Sequence, residues 1–434
     1  MAKKTVKVGL LGLGVVGGGV ARLLLDKKEQ LSAYLGAELV LAKAADLDPA
    51  RAQELGLDES IYVDDAWPVV EDDGIDIIVE TVGGLEPARS LVLAALNQGK
   101  GVATANKALL ANHGVEIFQA ARRHGAGISF EASVGGGIPL VRTLRDSLAA
   151  NRINSCLGIL NGTCNFILSR MTAAGEEFAS VLAEAQAKGY AEADPTFDIQ
   201  GTDTAHKLAI VAALVTGAQP RLEAVPTEGI TGITPLDIGY AGEFGFKIKL
   251  LAVLNNQGEQ VEARVHPALV PHDHPLASVD GAYNALHIDG DWVGQVLLYG
   301  TGAGRRPTAS AVVGDVLELA RDLVAGAPGR VPPLGTQADA GRRLELAPLN
   351  EAACQYYCRF AAQDSPGVLA AIARELGEYG ISIEKVTQKG RHDQGPVPIV
   401  MLTHHAREAS LRRALKQIDA LPVIAEPTVV IRVA

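Results

Sequence analysis

The sequence feature that most constrains the fold is a glycine turn close to the N-terminus. An apolar, β-branched run, Thr5–Leu11, predicts a strand, and the residues that follow the turn, Val15–Leu25, have helical character. A strand, a G-x-G-x-x-G turn and a helix in this order are typical of a dinucleotide site, because the glycines permit a tight turn and a close approach to the pyrophosphate. An ordinary glycine-rich turn is the alternative. The candidate cofactor residues are Gly12, Leu13, Gly14, Val15, Val16 and Gly17.

A second predicted strand, Glu38–Ala45, ends at Asp46, where an acid would bind the adenosine ribose and favour NAD. Asp46 lies 29 residues after Gly17, however, which exceeds the usual spacing of about 20. Arg51 is near enough in sequence to meet a 2′-phosphate. The sequence therefore leaves the choice between NAD and NADP open.

Strands and helices continue to alternate beyond Asp46. The runs Asp76–Glu80 and Gly101–Thr104 predict buried strands, and a helix follows each of them. This alternation predicts an α/β fold with a parallel sheet, in which ligands bind at the carboxyl ends of the strands. Lys107 lies at such an end. A solvated lysine at a helix start is the alternative, although a cation there opposes the helix dipole.

The stretch 185–207 contains a second cluster of residues that could take part in binding or catalysis. It contains Glu192, Asp194, Asp198, Asp203 and Lys207. Asp203 and Lys207 are four residues apart at the start of an apolar run, and a helix capped by Thr202 or Asp203 would place both side chains on one face. A weak surface ion pair is one interpretation. The other is an active-site cleft where acids hold a cationic substrate group and a lysine handles a proton.

A triple-glycine loop and a distinct C-terminal region complete the pattern. The loop Glu131–Pro139 could be a hinge, a cage of main-chain oxygens for a cation, or a crossover between domains, and its composition favours the crossover. Arg152–Leu160 predicts the first strand of a further domain. The C-terminal region predicts a βαββαβ order, which is the ferredoxin-like arrangement.

Bulk composition excludes several classes of partner. The chain has 434 residues and a formal net charge of −11, which argues against nucleic acid and anionic membranes as partners. Its four cysteines lack the spacing of a disulfide framework or a zinc ribbon, so a reducing compartment is expected. No apolar run is long enough to span a membrane, and no signal peptide is apparent. We expect a cytoplasmic protein.

Three separated segments together resemble the homoserine dehydrogenase family. The central stretch fits its signature through Gly189, Asp194-Pro195, Asp198, Gly201, Asp203 and Lys207. Thr104-Ala-Asn-Lys107 resembles the cofactor-side segment, and Glu131-Ala-Ser-Val-Gly-Gly-Gly-Ile-Pro139 the cation loop. The C-terminal Asp364-x-Pro-Gly-Val-Leu looks like an ACT domain, a regulatory fold that often binds amino acids. The resemblance covers essentially the whole chain and is closest to the monofunctional form, in which no kinase domain precedes the dehydrogenase.

The resemblance implies reversible, NAD(P)-dependent interconversion of aspartate 4-semialdehyde and L-homoserine, on the route to threonine, methionine and isoleucine. It also implies a sodium ion held largely by carbonyls. By motif, the implied residues are Lys207 as proton donor and Lys107 as a second essential lysine; Glu192, Asp203 and Asp198 for substrate; Thr104, Lys107, Gly189 and Gly304 for cofactor; and Glu131, Val134, Gly136 and Ile138 for sodium. A desolvated lysine suits the chemistry, since hydride addition to an aldehyde leaves an alkoxide that needs an electrophile and a proton.

The resemblance also sets the expected organisation. We predict a Rossmann-type domain at 1–135 with a return segment at 300–325, a substrate and dimerisation domain at 136–299, a linker at 326–349 and an ACT domain at 350–434. Threonine is the expected effector at the ACT domain. A homodimer or homotetramer is expected.

Three alternative functions can be weighed against this one. A Rossmann oxidoreductase acting on sugars or cyclitols usually has Glu-Lys-Pro where this chain has Asn106-Lys107-Ala108. Aspartate semialdehyde dehydrogenase would need a cysteine nucleophile near phosphate-binding arginines, and the sequence has no such pattern. A non-catalytic NAD(P)-dependent amino-acid sensor would not need the acid–lysine stretch.

Overall fold

The computed structural model describes residues 3–258, 260–336, 342–389 and 396–434. The chain forms two compact units that are interleaved along the sequence. The first unit comprises Met1–Gly162, Asp203–Val225 and Tyr283–Glu345. The second comprises Thr163–Thr202, Pro226–Ala282 and Leu346–Ala434. The predicted domain boundaries at 135, 299 and 349 remain predictions, and residues 337–341 of the predicted linker lie outside the described residues.

The helices, in chain order, are α1 (Val15–Asp26), α2 (Lys28–Leu35), α3 (Pro49–Leu55), α4 (Trp67–Glu71), α5 (Ala88–Asn97), α6 (Lys107–His124), α7 (Leu140–Arg142), α8 (Gly162–Ala174), α9 (Phe178–Ala187), α10 (Thr196–Ile199), α11 (Thr202–Thr216), α12 (Pro235–Phe244), α13 (Arg305–Val324), α14 (Val368–Glu378) and α15 (Glu408–Ile418). Within the described residues, none of them has the length and apolar character needed to cross a membrane.

The strands, in chain order, are β1 (Thr5–Leu11), β2 (Glu38–Ala45), β3 (Tyr62–Val63), β4 (Ile77–Glu80), β5 (Gly101–Thr104), β6 (Ile128–Ser129), β7 (Ile153–Ile159), β8 (Gln219–Pro220), β9 (Phe246–Asn256), β10 (Val261–Pro271), β11 (Tyr283–Gly290), β12 (Gly294–Thr301), β13 (Arg343–Leu344), β14 (Ala353–Cys354), β15 (Tyr356–Gln363), β16 (Ile383–Gln388), β17 (Pro396–Thr403), β18 (Ala406–Arg407) and β19 (Ile424–Val433).

The first unit is built on a parallel sheet with the order β3-β2-β1-β4-β5-β6. Every residue of β4 and β5 is buried, as expected when helices cover both faces of a parallel sheet. Helix α13 joins the core of this sheet, because Val312 and Val316 pack with Val8 of β1 and Val20 of α1. The predicted α/β, Rossmann-type fold is confirmed.

The strand order fixes where a ligand can bind. The chain leaves β1 toward β2 on one side and returns to β4 on the other, so β1 and β4 flank a topological switch point. In open α/β sheets, the crevice outside the carboxyl ends of such strands is the binding site. Gly12 follows β1 and Thr81 follows β4, which places both at this edge.

Helix α11 also belongs to the first unit and is buried along nearly its whole length. The helix begins at Thr202, so Thr202 and Asp203 both lie in its first turn. An acid in the first turn is favourable because it meets the positive end of the helix dipole. Asp203 and Lys207 share a face, as predicted.

The second unit contains the strand order β9-β10-β19-β15-β17-β16. Its C-terminal part has the order β15-α14-β16-β17-α15-β19, which confirms the predicted βαββαβ arrangement. The core of this part includes Tyr356 and Phe360 of β15, Ile372 of α14 and Leu411 of α15. Strand β19 pairs antiparallel with β15 and parallel with β10, so one strand belongs to both neighbours.

Candidate functional site

The glycine turn after β1 requires glycine at two positions. Gly12 has a φ of 88°, in the left-handed region. A Cβ at Gly17 would lie 1.9 Å from the Gly12 carbonyl oxygen, so no side chain fits there. Helix α1 then begins after Gly14, and its first-turn N–H groups form the positive end of the helix dipole. This arrangement suits an anionic phosphate.

A cavity of about 500 Å³ lies against the glycine turn and is bordered by Gly12, Gly14 and Thr81. Asp46 borders it at the end of β2, where its carboxylate accepts a hydrogen bond from the Leu13 N–H. Burial works to raise the pKa of Asp46, but hydrogen bonds from backbone N–H groups and the nearby Arg51 guanidinium hold it below its usual value. The cavity therefore has the shape and polar partner that a dinucleotide needs.

The same cavity has an acidic rim. Asp48, Asp64 and Asp65 border it together with Asp46. The one arginine on this rim, Arg51, lies 3.2 Å from the Asp46 carboxylate and 3.6 Å from that of Asp48. The positive charge of Arg51 is therefore already shared between two carboxylates.

Two lysines that are far apart in sequence meet at one carboxylate. Lys107 begins α6 and lies 3.2 Å from Asp203 Oδ1. Lys207 lies 2.7 Å from Asp203 Oδ2, and Asn161 Nδ2 donates to the same oxygen at 2.9 Å. The structure thus brings together the two lysines that the family resemblance implies for catalysis.

The electrostatics of this cluster favour a charged Asp203. Its side chain is only 5% exposed, and burial by itself would raise its pKa. The Lys207 and Lys107 ammonium groups and the Asn161 hydrogen bond outweigh burial and lower the pKa of Asp203 to about 2. Asp203 is thus a carboxylate that bridges two ammonium groups.

Lys207 is held in a defined orientation. Its Nζ donates to the Leu160 carbonyl oxygen at 2.7 Å as well as to Asp203. An ammonium group has three N–H donors, so one remains beyond these two contacts. A lysine fixed in this way can present an N–H to a substrate oxygen.

The triple-glycine loop follows β6. The Glu131 carboxylate accepts hydrogen bonds from the Val141 N–H at 2.7 Å and the Arg142 N–H at 2.9 Å, so it serves the start of the next helical segment. A Cβ at Gly136 would lie 2.3 Å from the Gly302 carbonyl oxygen, which shows how closely the loop packs. Within the described ranges, no group of three or more His, Cys, Asp or Glu side chains could hold a metal ion. A cation in this loop would need main-chain oxygens, and Val134, Gly136 and Ile138 would supply them.

The remaining predicted residues of the first unit lie at ends of elements. Thr104 ends β5, and its hydroxyl donates to Glu80 Oε2 at 2.6 Å. Gly304 precedes α13 with a φ of 117°, a conformation that side chains rarely adopt. Val15 and Val16 open α1.

The second unit carries Gly189, Glu192 and Asp198. Gly189 has a φ of 73°, and Glu192 is exposed. Asp198 lies in α10, and its carbonyl oxygen accepts a hydrogen bond from the Cys164 thiol at 3.2 Å. The roles of these three residues remain predictions.

Sequence reasoning missed two residues that organise the first unit. Asn161 donates a hydrogen bond to Asp203, and Glu80 accepts hydrogen bonds from Thr104 and Gly83. Asn161 belongs to a turn-forming Asn-Gly pair and carries no other signal. Glu80 could have been noticed, because it is the one charged residue in the otherwise apolar run Ile77–Glu80.

The cysteines are buried, and none of the four forms a disulfide. Burial raises the pKa of both Cys156 and Cys358 to about 12, so neither forms a thiolate near neutral pH. Cys156 and Cys358 are therefore poor candidates for the nucleophile of an aldehyde dehydrogenase that works through a thioester.

Comparison with known proteins agrees with this site. Residues 12–131 match the family described as homoserine dehydrogenase, NAD binding domain; residues 139–317 match homoserine dehydrogenase; and residues 356–423 match the ACT domain. The homoserine dehydrogenase of Neisseria gonorrhoeae is 45% identical over 99% of this chain and 98% of its own length. That of Pseudomonas aeruginosa is 44% identical over 99% of both chains.

Solved structures give the same result. A homoserine dehydrogenase from Thiobacillus denitrificans has a TM-score of 0.93 at 45% identity and covers 99% of this chain and 98% of its own. A hyperthermophilic archaeal homoserine dehydrogenase in complex with NADPH has a TM-score of 0.63 at 28% identity, covering 72% of this chain and 97% of its own. With a glycine turn that suits a nicotinamide dinucleotide and relatives that match from end to end, the chain belongs to the homoserine dehydrogenase family.

Proposed function

We propose that this protein catalyses the reversible NAD(P)-dependent interconversion of L-aspartate 4-semialdehyde and L-homoserine. The observation that carries the proposal is the pair of lysine ammonium groups that share the buried Asp203 carboxylate, 3.2 Å and 2.7 Å away. Lys107 follows β5 at the same edge of the sheet as the glycine turn after β1. Family membership supports the same reaction.

The bound dinucleotide would supply the hydride that reduces the aldehyde carbon. Lys207 would donate a hydrogen bond to the carbonyl oxygen and then a proton to the alkoxide, which is general acid catalysis. Asp203 and the Leu160 carbonyl would hold Lys207 in position for this step. Lys107, whose side chain is 35% exposed, would face the substrate carboxylate or the developing oxyanion. In oxidation, the same proton transfer would run in reverse, from the substrate hydroxyl to Lys207.

The substrate ammonium group needs an acid. We propose Glu192 and Asp198 for this role from their place in the family motif and from their charge. Asp203 already receives two ammonium groups and Asn161, so its part in substrate binding would be to orient the lysines.

Lys207→Ala tests the proposal. We expect kcat for homoserine oxidation, followed by NADH absorbance, to fall about 10²- to 10⁴-fold, because a general acid–base group is lost. The dissociation constant of the dinucleotide should stay unchanged. Lys100→Ala is the matched control, since Lys100 is a similarly buried lysine of the first unit that donates to the carbonyl oxygens of Val70 and Asp72. An unchanged kcat in Lys207→Ala would contradict the proposal.

The acidic rim of the cavity supports NAD as the preferred cofactor. A 2′-phosphate carries about two negative charges at neutral pH, much as other phosphomonoesters do. It would meet four carboxylates, while Arg51 is already shared between Asp46 and Asp48. The ribose hydroxyls of NAD would instead donate to Asp46.

The preference is measured as the ratio of kcat/KM for NAD to that for NADP. We expect a ratio above about 10, because like charges across a binding site cost several kcal/mol. Asp46→Ser should lower the ratio by weakening NAD and admitting the phosphate. Asp73→Ser, an exposed acid elsewhere in the first unit, should leave it unchanged. A preference for NADP in the native protein would refute this assignment.

We also propose a structural sodium ion in the triple-glycine loop, held by main-chain carbonyls of Glu131, Val134, Gly136 and Ile138. Gly135 and Gly136 have φ values of 76° and 56°, which gives the loop a turn that could converge its carbonyls. Oxygen ligands suit a hard cation. Thermal stability should be higher in sodium chloride than in choline chloride at equal ionic strength. Equal stability would remove the ion from the proposal.

For regulation, we propose threonine as the ligand of the ACT domain. The segment Asp364-Ser365-Pro366-Gly367 leads directly into α14, where it could meet an amino acid at the helix start. Threonine should inhibit homoserine oxidation by the full chain, and an absence of inhibition up to millimolar levels would exclude it. We further propose a homodimer or homotetramer, which light scattering during size-exclusion chromatography would distinguish.

A further inference from the structure

We propose that Glu80 is a positioning residue that couples the glycine turn of the dinucleotide site to Lys107. The inference rests on the proposed function for its kinetic readout. Glu80 is the last residue of β4 and is fully buried. It makes no ion pair within the described part of the chain, so its charge is not explained by a salt bridge.

Three donors converge on the Glu80 carboxylate. Thr104 Oγ1 donates to Oε2 at 2.6 Å, and the Gly83 N–H donates to Oε1 at 2.9 Å. Asn106 Nδ2 approaches Oε1 at 3.5 Å. A buried carboxylate loses its hydration, and hydrogen bonds of this kind compensate for the loss. The donors come from the end of β5, from the N-cap of α6 and from the loop between β4 and α5.

On one side, the network leads to Lys107. The Asn106 N–H donates to Thr104 Oγ1 at 3.0 Å, and Asn106 Nδ2 donates to the Gly84 carbonyl oxygen at 2.8 Å. Asn106 Oδ1 accepts the Leu109 N–H at 3.0 Å and so caps α6. Lys107 is the first residue of that helix. The orientation of Asn106 therefore sets where the lysine begins its reach toward the active-site carboxylate.

On the other side, the network leads to the glycine turn. Thr81 directly follows Glu80, and its Oγ1 lies 2.9 Å from the Leu11 carbonyl oxygen and 3.0 Å from that of Gly12. A Cβ at Gly17 would come within 2.5 Å of the same hydroxyl oxygen. The backbone between Thr81 and Glu80 thus connects the turn to the carboxylate.

These hydrogen bonds give Glu80 a role other than packing within the sheet. An apolar side chain in place of Glu80 would leave the Thr104 hydroxyl and the Gly83 N–H without this acceptor, whereas Asn106 Nδ2 would keep the Gly84 carbonyl oxygen. Loss of the carboxylate would loosen Thr104, whose hydroxyl accepts the Asn106 N–H, and the loop after β4, which contains Gly83. The start of α6, and with it the backbone of Lys107, would be held less firmly, although neither Lys107 nor Asp203 is itself substituted.

A double-mutant cycle separates positioning from general stability. Glu80→Gln keeps the volume but replaces one carboxylate oxygen with an NH2 group, so either Thr104 or Gly83 loses its acceptor. We expect it to lower kcat about 10- to 100-fold in the native background, and less than about threefold in a Lys107→Ala background, because coupled residues are not additive. Asp237→Asn is the control: this buried acid of the second unit should act additively with Lys107→Ala. Additive losses for Glu80→Gln, or an unchanged kcat, would overturn the proposal.

A second readout does not depend on the substrate. Hydrogen–deuterium exchange of the first turn of α6 should be faster in Glu80→Gln and unchanged in Asp237→Asn, because only the former loosens the Asn106 cap. If the native protein fails to oxidise homoserine, the proposed function falls, and this exchange experiment still decides the role of Glu80. If Glu80→Gln does not fold, Thr104→Val breaks the same link from the opposite side and should give the same cycle. Unchanged exchange in the folded variant would refute the coupling.

Discussion

Replacing Asp203 with asparagine removes one charge from the cluster that contains Lys107 and Lys207, with little change of shape. The pKa of Asp203 is about 2 in the folded protein and 3.8 in its ordinary state. Each pKa unit corresponds to about 1.4 kcal/mol, so ionised Asp203 contributes about 2 kcal/mol of folding free energy at neutral pH. Since the folded-state pKa is depressed, this contribution is present above pH 3.8 and is lost as the pH falls toward 2.

The prediction concerns the difference in unfolding free energy between the native protein and Asp203→Asn. It should be about 2 kcal/mol at pH 7, nearly as large at pH 4, and about half at pH 3. Urea unfolding followed by tryptophan fluorescence suits the measurement, because both tryptophans, Trp67 and Trp292, belong to the same unit as Asp203. Asp26→Asn, an exposed acid of that unit, is the control. A difference that does not change between pH 7 and pH 3 would refute the electrostatic account of Asp203.

Three further predictions concern buried groups. Gly17→Ala places a methyl group against the Gly12 carbonyl oxygen, so dinucleotide binding measured by fluorescence titration should weaken at least about tenfold; unchanged binding would contradict the role of the turn. Cys156 and Cys358 should react with a thiol reagent only after denaturation, because burial raises the pKa of each to about 12; fast labelling of the native protein would be inconsistent with this. Asp237→Ala removes a fully buried carboxylate and leaves the partly buried Arg359 unpaired, so it should cost about 3–5 kcal/mol in thermal or urea unfolding, whereas a loss below about 1 kcal/mol would argue against a strong ion pair.

Local patterns in the sequence predicted the features that depend on local chemistry. The glycine turn, the buried strands and the helix that starts at Lys107 each follow from short runs of residue types. The meeting of Lys107 with Lys207 followed from family motifs rather than from spacing, because no periodicity relates residues so far apart. The start of α11 could be placed from sequence only to within a residue or two of Thr202, which is the usual uncertainty of helix ends.

Other features depend on long-range placement and could not be predicted. Asn161 donates a hydrogen bond to Asp203 from a turn whose sequence resembles many others. This contact forms because the end of β7 and the start of α11 lie together in the folded unit. Strand β19 was predicted as a strand, but the sequence contains no sign of its parallel pairing with β10. Both features arise from tertiary contacts between segments that are distant in the chain.

The shared strand β19 affects how this protein tolerates loss of its C-terminus. Arg432, buried near the end of that strand, binds Glu408 at 2.8 Å and Glu228 at 3.0 Å, and Arg359 in the neighbouring strand binds Asp237 at 2.6 Å. Premature termination or proteolytic trimming would therefore remove the parallel neighbour of β10 and take from Glu408 and Glu228 the buried arginine that joins them. The ACT fold is accordingly part of what keeps the second unit intact, and insensitivity to an effector is better sought through point substitutions than through shortening the polypeptide.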